Sequence, residues 1–226
     1  MNHFLDFLFP KRCVSCGKLG LFLCTKCTTL LIPSLPVCPV CEHTSLYGTT
    51  HKRCKTHYSL DGLVSSFTYK GVIKKAIHRY KYRPYIEGLT SQFTQFLTVS
   101  IKSNKQLSTF LKTKPVIVSI PLHWYRKQIR GYNQAEKLGL HLSKQLKLEY
   151  KDILVRTKYT KPQSDLSRRE RQKNIEGVFS VKHRLTTPKH ILLIDDVWTT
   201  GATIKQAGKL LRENGVKQVW ALTLAR

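Results

Sequence analysis

Two adjacent aspartates, Asp195 and Asp196, stand directly before a turn rich in hydroxyls, Thr199, Thr200, Gly201, Ala202 and Thr203. Carboxylates repel phosphate, but they accept hydrogen bonds from vicinal sugar hydroxyls and bind Mg2+ directly or through water. Threonine hydroxyls, free backbone N–H groups and a glycine that lets the backbone approach closely do the opposite and hold phosphate. Acids followed at once by a phosphate cradle can therefore read a ribose 5-phosphate end to end. On this reading Asp195 and Asp196 take the sugar hydroxyls, while Val197, Thr199, Thr200, Gly201, Ala202 and Thr203 form the phosphate-gripping loop.

Two elements must position these groups. Residues 191–194, Ile-Leu-Leu-Ile, show no polar alternation, the pattern of a strand covered on both faces in a parallel sheet. The aspartates then emerge at its carboxyl edge. Residues 202–214 repeat apolar positions at Ile204, Ala207, Leu210 and Leu211 before Gly215, which is a helix with a glycine stop. Its N-terminus, with the positive end of the helix dipole, faces the loop. An apolar strand ending in acids also occurs in nucleotide hydrolases, but that chemistry needs a phosphate loop as partner. Neither G-x-x-x-x-G-K-[ST] nor G-x-G-x-x-G occurs in the chain. A strand and helix without a ligand is the bland alternative; against it stands the cost of keeping paired aspartates at a strand end with no counterion.

The segment 191–203 resembles the phosphoribosyl-diphosphate binding motif of type I phosphoribosyltransferases. From Val116 the chain also reads V-I-V-S-I-P-L-H-W-Y-R-K-Q-I-R-G-Y-N-Q-A, then Q-S-D-L at 163–166, R-Q-K-N at 171–174 and L-T-L-A-R at 222–226. With an amino-terminal cysteine cluster, this resembles the ComF family, competence proteins of the ComFC and GntX-like, amidophosphoribosyltransferase-like kind. The resemblance covers nearly the whole chain. It implies an α/β fold: a type I phosphoribosyltransferase-like parallel sheet flanked by helices, preceded by a small N-terminal zinc-ribbon module. It further implies single-stranded DNA handling in natural transformation, a phosphoribosyl diphosphate (PRPP) site with Mg2+, and partners in the DNA-uptake machinery.

The 226 residues suffice for one α/β domain plus a small appendage. All seven cysteines precede residue 55, which puts a boundary near Asp61 and divides the chain into a module at 1–58 and a transferase-like domain at 59–226. Set against 13 acidic residues, 39 Lys and Arg give a formal net charge of +26. That surplus points to a polyanionic partner, nucleic acid first, with a solvated basic face as the plain alternative. Residues 4–9 form a short, mostly apolar stretch only about half the length of a spanning helix. No signal peptide is read, so the expected location is cytoplasmic, where clustered thiols favour metal over disulfides. The stretch at 4–9 packs on its own zinc module or, with the basic surplus, touches the inner-membrane surface.

Cys13, Cys16, Cys24 and Cys27 form C-x2-C-x7-C-x2-C, two knuckles able to converge tetrahedrally on Zn2+. Cys38 and Cys41 open another knuckle for which only Cys54 remains as a thiolate, so a histidine must complete the set. His51 gives H-x2-C, His57 gives C-x2-H, and His43 is a third choice. The family resemblance favours His51, which stands where relatives carry cysteine. One zinc or two, and sequential or interleaved pairing, all satisfy these spacings. No base-reading helix is legible between Cys13 and Cys54, which argues against a sequence-specific DNA regulator.

Between strand-like residues 63–69 and residue 83, Val72, Ile73, Ala76, Ile77 and Tyr80 share one helical face. Lys74, Lys75, Arg79, Lys81 and Arg83, interleaved with Tyr80, Tyr82 and Tyr85, can neutralise phosphates and stack unpaired bases. A second helix is expected at 86–101, a polar connection next, a strand at 116–120, and a loop at 121–130 presenting His123, Arg126, Lys127 and Arg130. A helix follows with Ala135, Leu138, Leu142 and Leu146 on its apolar face. In the resembled fold the loop at 121–130 receives pyrophosphate, and Arg126 and Arg130 are the chief candidates, with a nucleic-acid phosphate as their alternative ligand. Residues 156–179 read as a loop, where the resembled transferases carry a mobile cover; Arg168, Arg169 and Arg171 would complete a pyrophosphate or DNA pocket there, and Asn174 would fix it. No catalytic base and no acceptor-recognition segment is legible, so an active phosphoribosyltransferase on an unidentified nitrogenous acceptor stands as the second reading.

Overall fold

The computed structural model describes residues 10–82, 86–158, 177–182 and 188–226. After an N-terminal segment of turns and short helical pieces, the chain lays down β1 (Gly62–Phe67), α1 (Gly71–Lys81), α2 (Leu89–Ser103), α3 (Lys105–Leu111), β2 (Val116–Ser119), α4 (Trp124–Arg130) and α5 (Gln134–Leu146). It continues with β3 (Leu154–Arg156), β4 (Phe179–Val181), β5 (His190–Val197), α6 (Ala202–Glu213) and β6 (Gln218–Ala225). The main sheet has the order β1-β6-β5-β2, with each neighbouring pair parallel.

Ile191 to Ile194 lie at 0% exposure in the interior of this sheet, where burial of each such side chain contributes about 1.5–3 kcal/mol. The pleat sends alternate residues to opposite faces. Leu192 and Ile194 join Ile117, Leu222 and Leu224 beneath α1, α2 and α5. Ile191 and Leu193 join Val118, Val219 and Ala221 beneath α6 and the antiparallel β3-β4 ribbon. A run without polar alternation is thus what two cores require.

In α1 the five apolar residues of the expected stripe are all buried. One consequence corrects the sequence reading: Tyr80 is at 0% exposure, its hydroxyl 2.9 Å from that of Thr90 and its ring edge-on to Phe93. A side chain on the apolar stripe cannot also stack an external base. The polar connection after α2 holds a further helix, α3, because Asn104 caps it by accepting from Leu107 N–H at 2.9 Å while Leu107 and Phe110 are buried. The expected loop at 121–130 is largely helical as well. His123 caps α4 at its start, and Gly131, with φ 79°, ends it in the left-handed conformation. At the two ends of the stretch read as a loop, β3 and β4 pair. Arg83, Tyr85, Arg168, Arg169, Arg171, Asn174 and residues 4–9 lie outside the described residues.

The cysteine segment shares the cores of the sheet. Cys13, Leu23, Cys24 and Cys27 belong to the α1 side and Val37 to the α6 side. The Gln92 side chain accepts from Leu23 N–H at 2.9 Å and donates to Leu23 C=O at 2.8 Å, and Asn104 donates to Tyr47 C=O at 2.9 Å. Among the described residues, no helix is long and apolar enough to cross a membrane.

Candidate functional site

A cleft of about 740 Å3 opens at the carboxyl ends of β2 and β5, where open parallel sheets bind ligands. Asp195 and Asp196 both line it. The strand does not end at the apolar run, as the sequence reading had it, but continues to Val197, with Asp195 beside Thr223 and Val197 beside Ala225. Successive strand residues would normally face apart. Here Asp195 Oδ1 accepts from Asp196 N–H at 2.8 Å, which folds the first carboxylate back over the strand end.

The electrostatics of the pair are uneven. Burial first, and the neighbouring Asp196 charge second, push the Asp195 carboxyl up to about 7, against the pull of Lys81. Asp196 is 6% exposed and its Oδ1 lies 2.6 Å from Lys81 Nζ. Burial opposes the Lys81 ammonium, but Asp196 and Asp195 outweigh it and hold its pKa above the ordinary value. Lys81 therefore points into the cleft and not along the outer basic face of α1. The opposite wall is cationic too: Arg126 and Arg130 from α4, and Arg156 from the end of β3. Arg156 is 8% exposed; burial and nearby Arg126 lower its pKa to about 10, so it remains a cation at neutral pH.

At the far end, Thr199, Gly201, Ala202 and Thr203 line the cleft at the N-terminus of α6. Gly201 has φ 68°, and a Cβ there would overlap the Trp198 ring, which is 1% exposed beneath it. Only glycine fits this turn. Thr200 does not line the cleft: its hydroxyl accepts from Ala202 N–H, at the start of the helix, at 3.4 Å. His123 does not line it either. It is buried as the cap of α4, accepting from Tyr125 N–H at 3.3 Å, and burial followed by the charges of Arg156 and Arg126 lowers its pKa.

Of the basic-face candidates, Lys74 lines the cleft and an adjoining groove, Lys75 and Arg79 line the groove alone, and Tyr82 lines the cleft. Sequence reasoning missed Arg156, which no local motif marks, and the inward role of Lys81. The +26 charge was its nearest signal, since a buried carboxylate in so basic a chain will find a lysine.

Two donor sets assemble elsewhere. Cys13, Cys16, Cys24 and Cys27 bring four sulfurs within 4.8 Å of one another, and Cys38, Cys41, His51 and Cys54 do the same with three sulfurs and a ring nitrogen. The Cys16 and Cys24 sulfurs are 3.6 Å apart, close to the roughly 3.8 Å edge of a zinc tetrahedron with bonds of about 2.3 Å. His51 Nδ1 lies 3.4 Å from Cys41 Sγ, while Nε2 lies 3.1 Å from Thr44 C=O, the outer contact that orients a metal-bound imidazole. Both sets fit Zn2+, paired sequentially, and among the described residues neither His43 nor His57 joins them.

The parallel sheet, the strand-end acids and the glycine turn at a helix N-terminus define a phosphoribosyltransferase-type domain. Residues 134–226 match the phosphoribosyl transferase domain family. The chain is 32% identical to Competence protein F of Haemophilus influenzae over the whole of both chains. It is 35% identical to Competence protein ComFC of Streptococcus pneumoniae over 84% of this chain and 80% of that one, and 29% identical to DNA utilization protein YhgH of Escherichia coli over 88% and 89%. The chain belongs to the ComF family.

Proposed function

We propose that this protein serves natural competence: it handles single-stranded DNA and binds phosphoribosyl diphosphate with Mg2+ in its cleft, acting in the cytoplasm with proteins of the DNA-uptake machinery. The observation that carries the reading is that one cleft presents the Asp195-Asp196 pair, the loop at the α6 N-terminus, and Arg126, Arg130 and Arg156 together. The acids suit the ribose hydroxyls and the loop suits the 5-phosphate. The arginines, with Mg2+ riding on the diphosphate, suit the pyrophosphate. Names of relatives, competence protein and DNA utilization protein, support the DNA role. So does the +26 charge.

Fluorescence anisotropy with a labelled single strand across a salt series tests the DNA half. Binding should be tight at low salt and weaken linearly in the logarithm of salt concentration; absence of binding at low salt would defeat it. A second reading, an active phosphoribosyltransferase, is favoured by the cations gathered where a pyrophosphate leaving group would develop charge. Pyrophosphate release from phosphoribosyl diphosphate with candidate nitrogen acceptors would establish it, and binding without turnover would discard it.

A further inference from the structure

The basic face of α1 and the cleft adjoin. A shallow groove of about 630 Å3 runs beside α1, with Lys74, Lys75, His78 and Arg79 along one side and Val14 of the first cysteine knuckle opposite. Among the described residues, no carboxylate lines it. Tyr69 and Lys74 line both the groove and the cleft, so the two share a wall. Rings and cations continue across it. The His78 ring lies 4.8 Å from that of Tyr82, Tyr82 lines the cleft at 42% exposure, and the Arg130 guanidinium stands 4.9 Å over the Tyr82 ring.

We propose that groove and cleft form one site for a single strand of nucleic acid. Its phosphates lie on Lys75 and Arg79, it crosses the Tyr69-Lys74 wall, and one unpaired nucleobase enters the cleft to stack on Tyr82. This rests on the DNA-binding and cleft readings above, and adds that the two ligands meet. The chemistry is selective. Cations alone hold any polyanion, but an exposed ring backed by a guanidinium, reached from a cationic groove, suits a flat π-system attached to a phosphate chain. A base held in a duplex has no free face to offer, so the partner is single-stranded. The phosphoribosyl site then lies beside the base, and that fixes the class of group occupying the rest of the cleft.

The test uses the full chain loaded with zinc and oligothymidylates carrying one 2-aminopurine, moved position by position. Fluorescence reports stacking of that base, and anisotropy reports binding of the strand. The expected result is a fluorescence change confined to one or two adjacent positions, lost in Tyr82→Ala and kept in Tyr82→Phe. Lys75→Ala with Arg79→Ala should weaken the strand about tenfold or more at low salt and lower the magnitude of the salt slope by about 1.4, the share of two contacts on a single strand. Unchanged fluorescence in Tyr82→Ala, or an unchanged affinity and slope in the lysine-arginine variant, overturns the proposal. So does a variant that binds DNA normally but loses binding to phosphatidylserine vesicles, which would make the groove a membrane contact. If the parent binds no single strand at all, the DNA reading itself fails. If it binds with no position-specific fluorescence, only the inference of a shared site fails.

Discussion

Lys81 Nζ lies 2.6 Å from Asp196 Oδ1, joining the last turn of α1 to the carboxyl end of β5. The pair lets two adjacent carboxylates occupy a half-enclosed cleft without a ligand, because the ammonium offsets one charge and leaves the other to rise in pKa. It also ties the helix that carries the basic face to the acids expected to read a sugar.

Removing the cation strands a buried carboxylate. Lys81→Met should destabilise the fold by about 2 kcal/mol, less than the about 3–5 kcal/mol of a fully buried pair because the cleft admits water. Adding Asp196→Asn should restore most of that loss. Urea unfolding of the parent, both single variants and the double variant gives the coupling energy. Additive losses would mean that the contact contributes nothing.

Asp195 gives a pH signature. Its folded pKa lies above the ordinary carboxyl value, so its favourable contribution to stability is complete below about pH 4 and is lost as the pH rises through about 7. Asn has no such loss. Asp195→Asn should therefore melt higher than the parent at pH 8, by about 2–4 °C for each kcal/mol relieved, and by much less at pH 5. A gain that is the same at both pH values would contradict the shifted carboxyl.

Metal content tests the ribbon. The parent should carry two zinc ions per chain, His51→Ala one, and His57→Ala two, as measured by elemental analysis after dialysis. His57→Ala at one, with His51→Ala at two, would reverse the ligand assignment.

A longer link joins the ribbon to the phosphate loop. Lys205 Nζ donates to Glu42 beside Cys41 and to Thr200 C=O, both at 3.3 Å, and stands 5.2 Å from the Trp198 ring under Gly201. Glu42→Ala should keep both zinc ions and change stability by less than about 1 kcal/mol. It should nevertheless weaken phosphoribosyl diphosphate binding about two- to fivefold by loosening the turn. Isothermal titration against the parent measures it, and equal affinities would leave the link without consequence.

Much of this site is legible locally. The β5-to-α6 unit is contiguous in the chain, and both of its periods are strong, so the acids, the turn and the helix N-terminus emerge together at 191–214. The stripe Val72, Ile73, Ala76, Ile77 and Tyr80 predicts the buried face of α1 equally well. That same stripe already argues against Tyr80 as an external stacking ring. What hides is either short or distant. No residue of α4 is buried, so it has no apolar stripe to betray it, and α3 buries only Leu107 and Phe110. Arg156 comes to act on the charge of Asp195 through tertiary structure alone, as Lys81 comes to pair with Asp196. Spacing to Cys54 leaves His51 and His57 open and the family resemblance favours His51; the fold brings its Nδ1 to Cys41.

The most direct measurement is isothermal titration calorimetry of phosphoribosyl diphosphate with Mg2+ into the parent and into Asp195→Asn with Asp196→Asn. If one cleft holds the sugar by its hydroxyls and the phosphate by the α6 turn, the parent binds measurably and the double variant, still folded and still carrying zinc, loses most of that affinity. A double variant whose isotherm matches the parent's would contradict that arrangement.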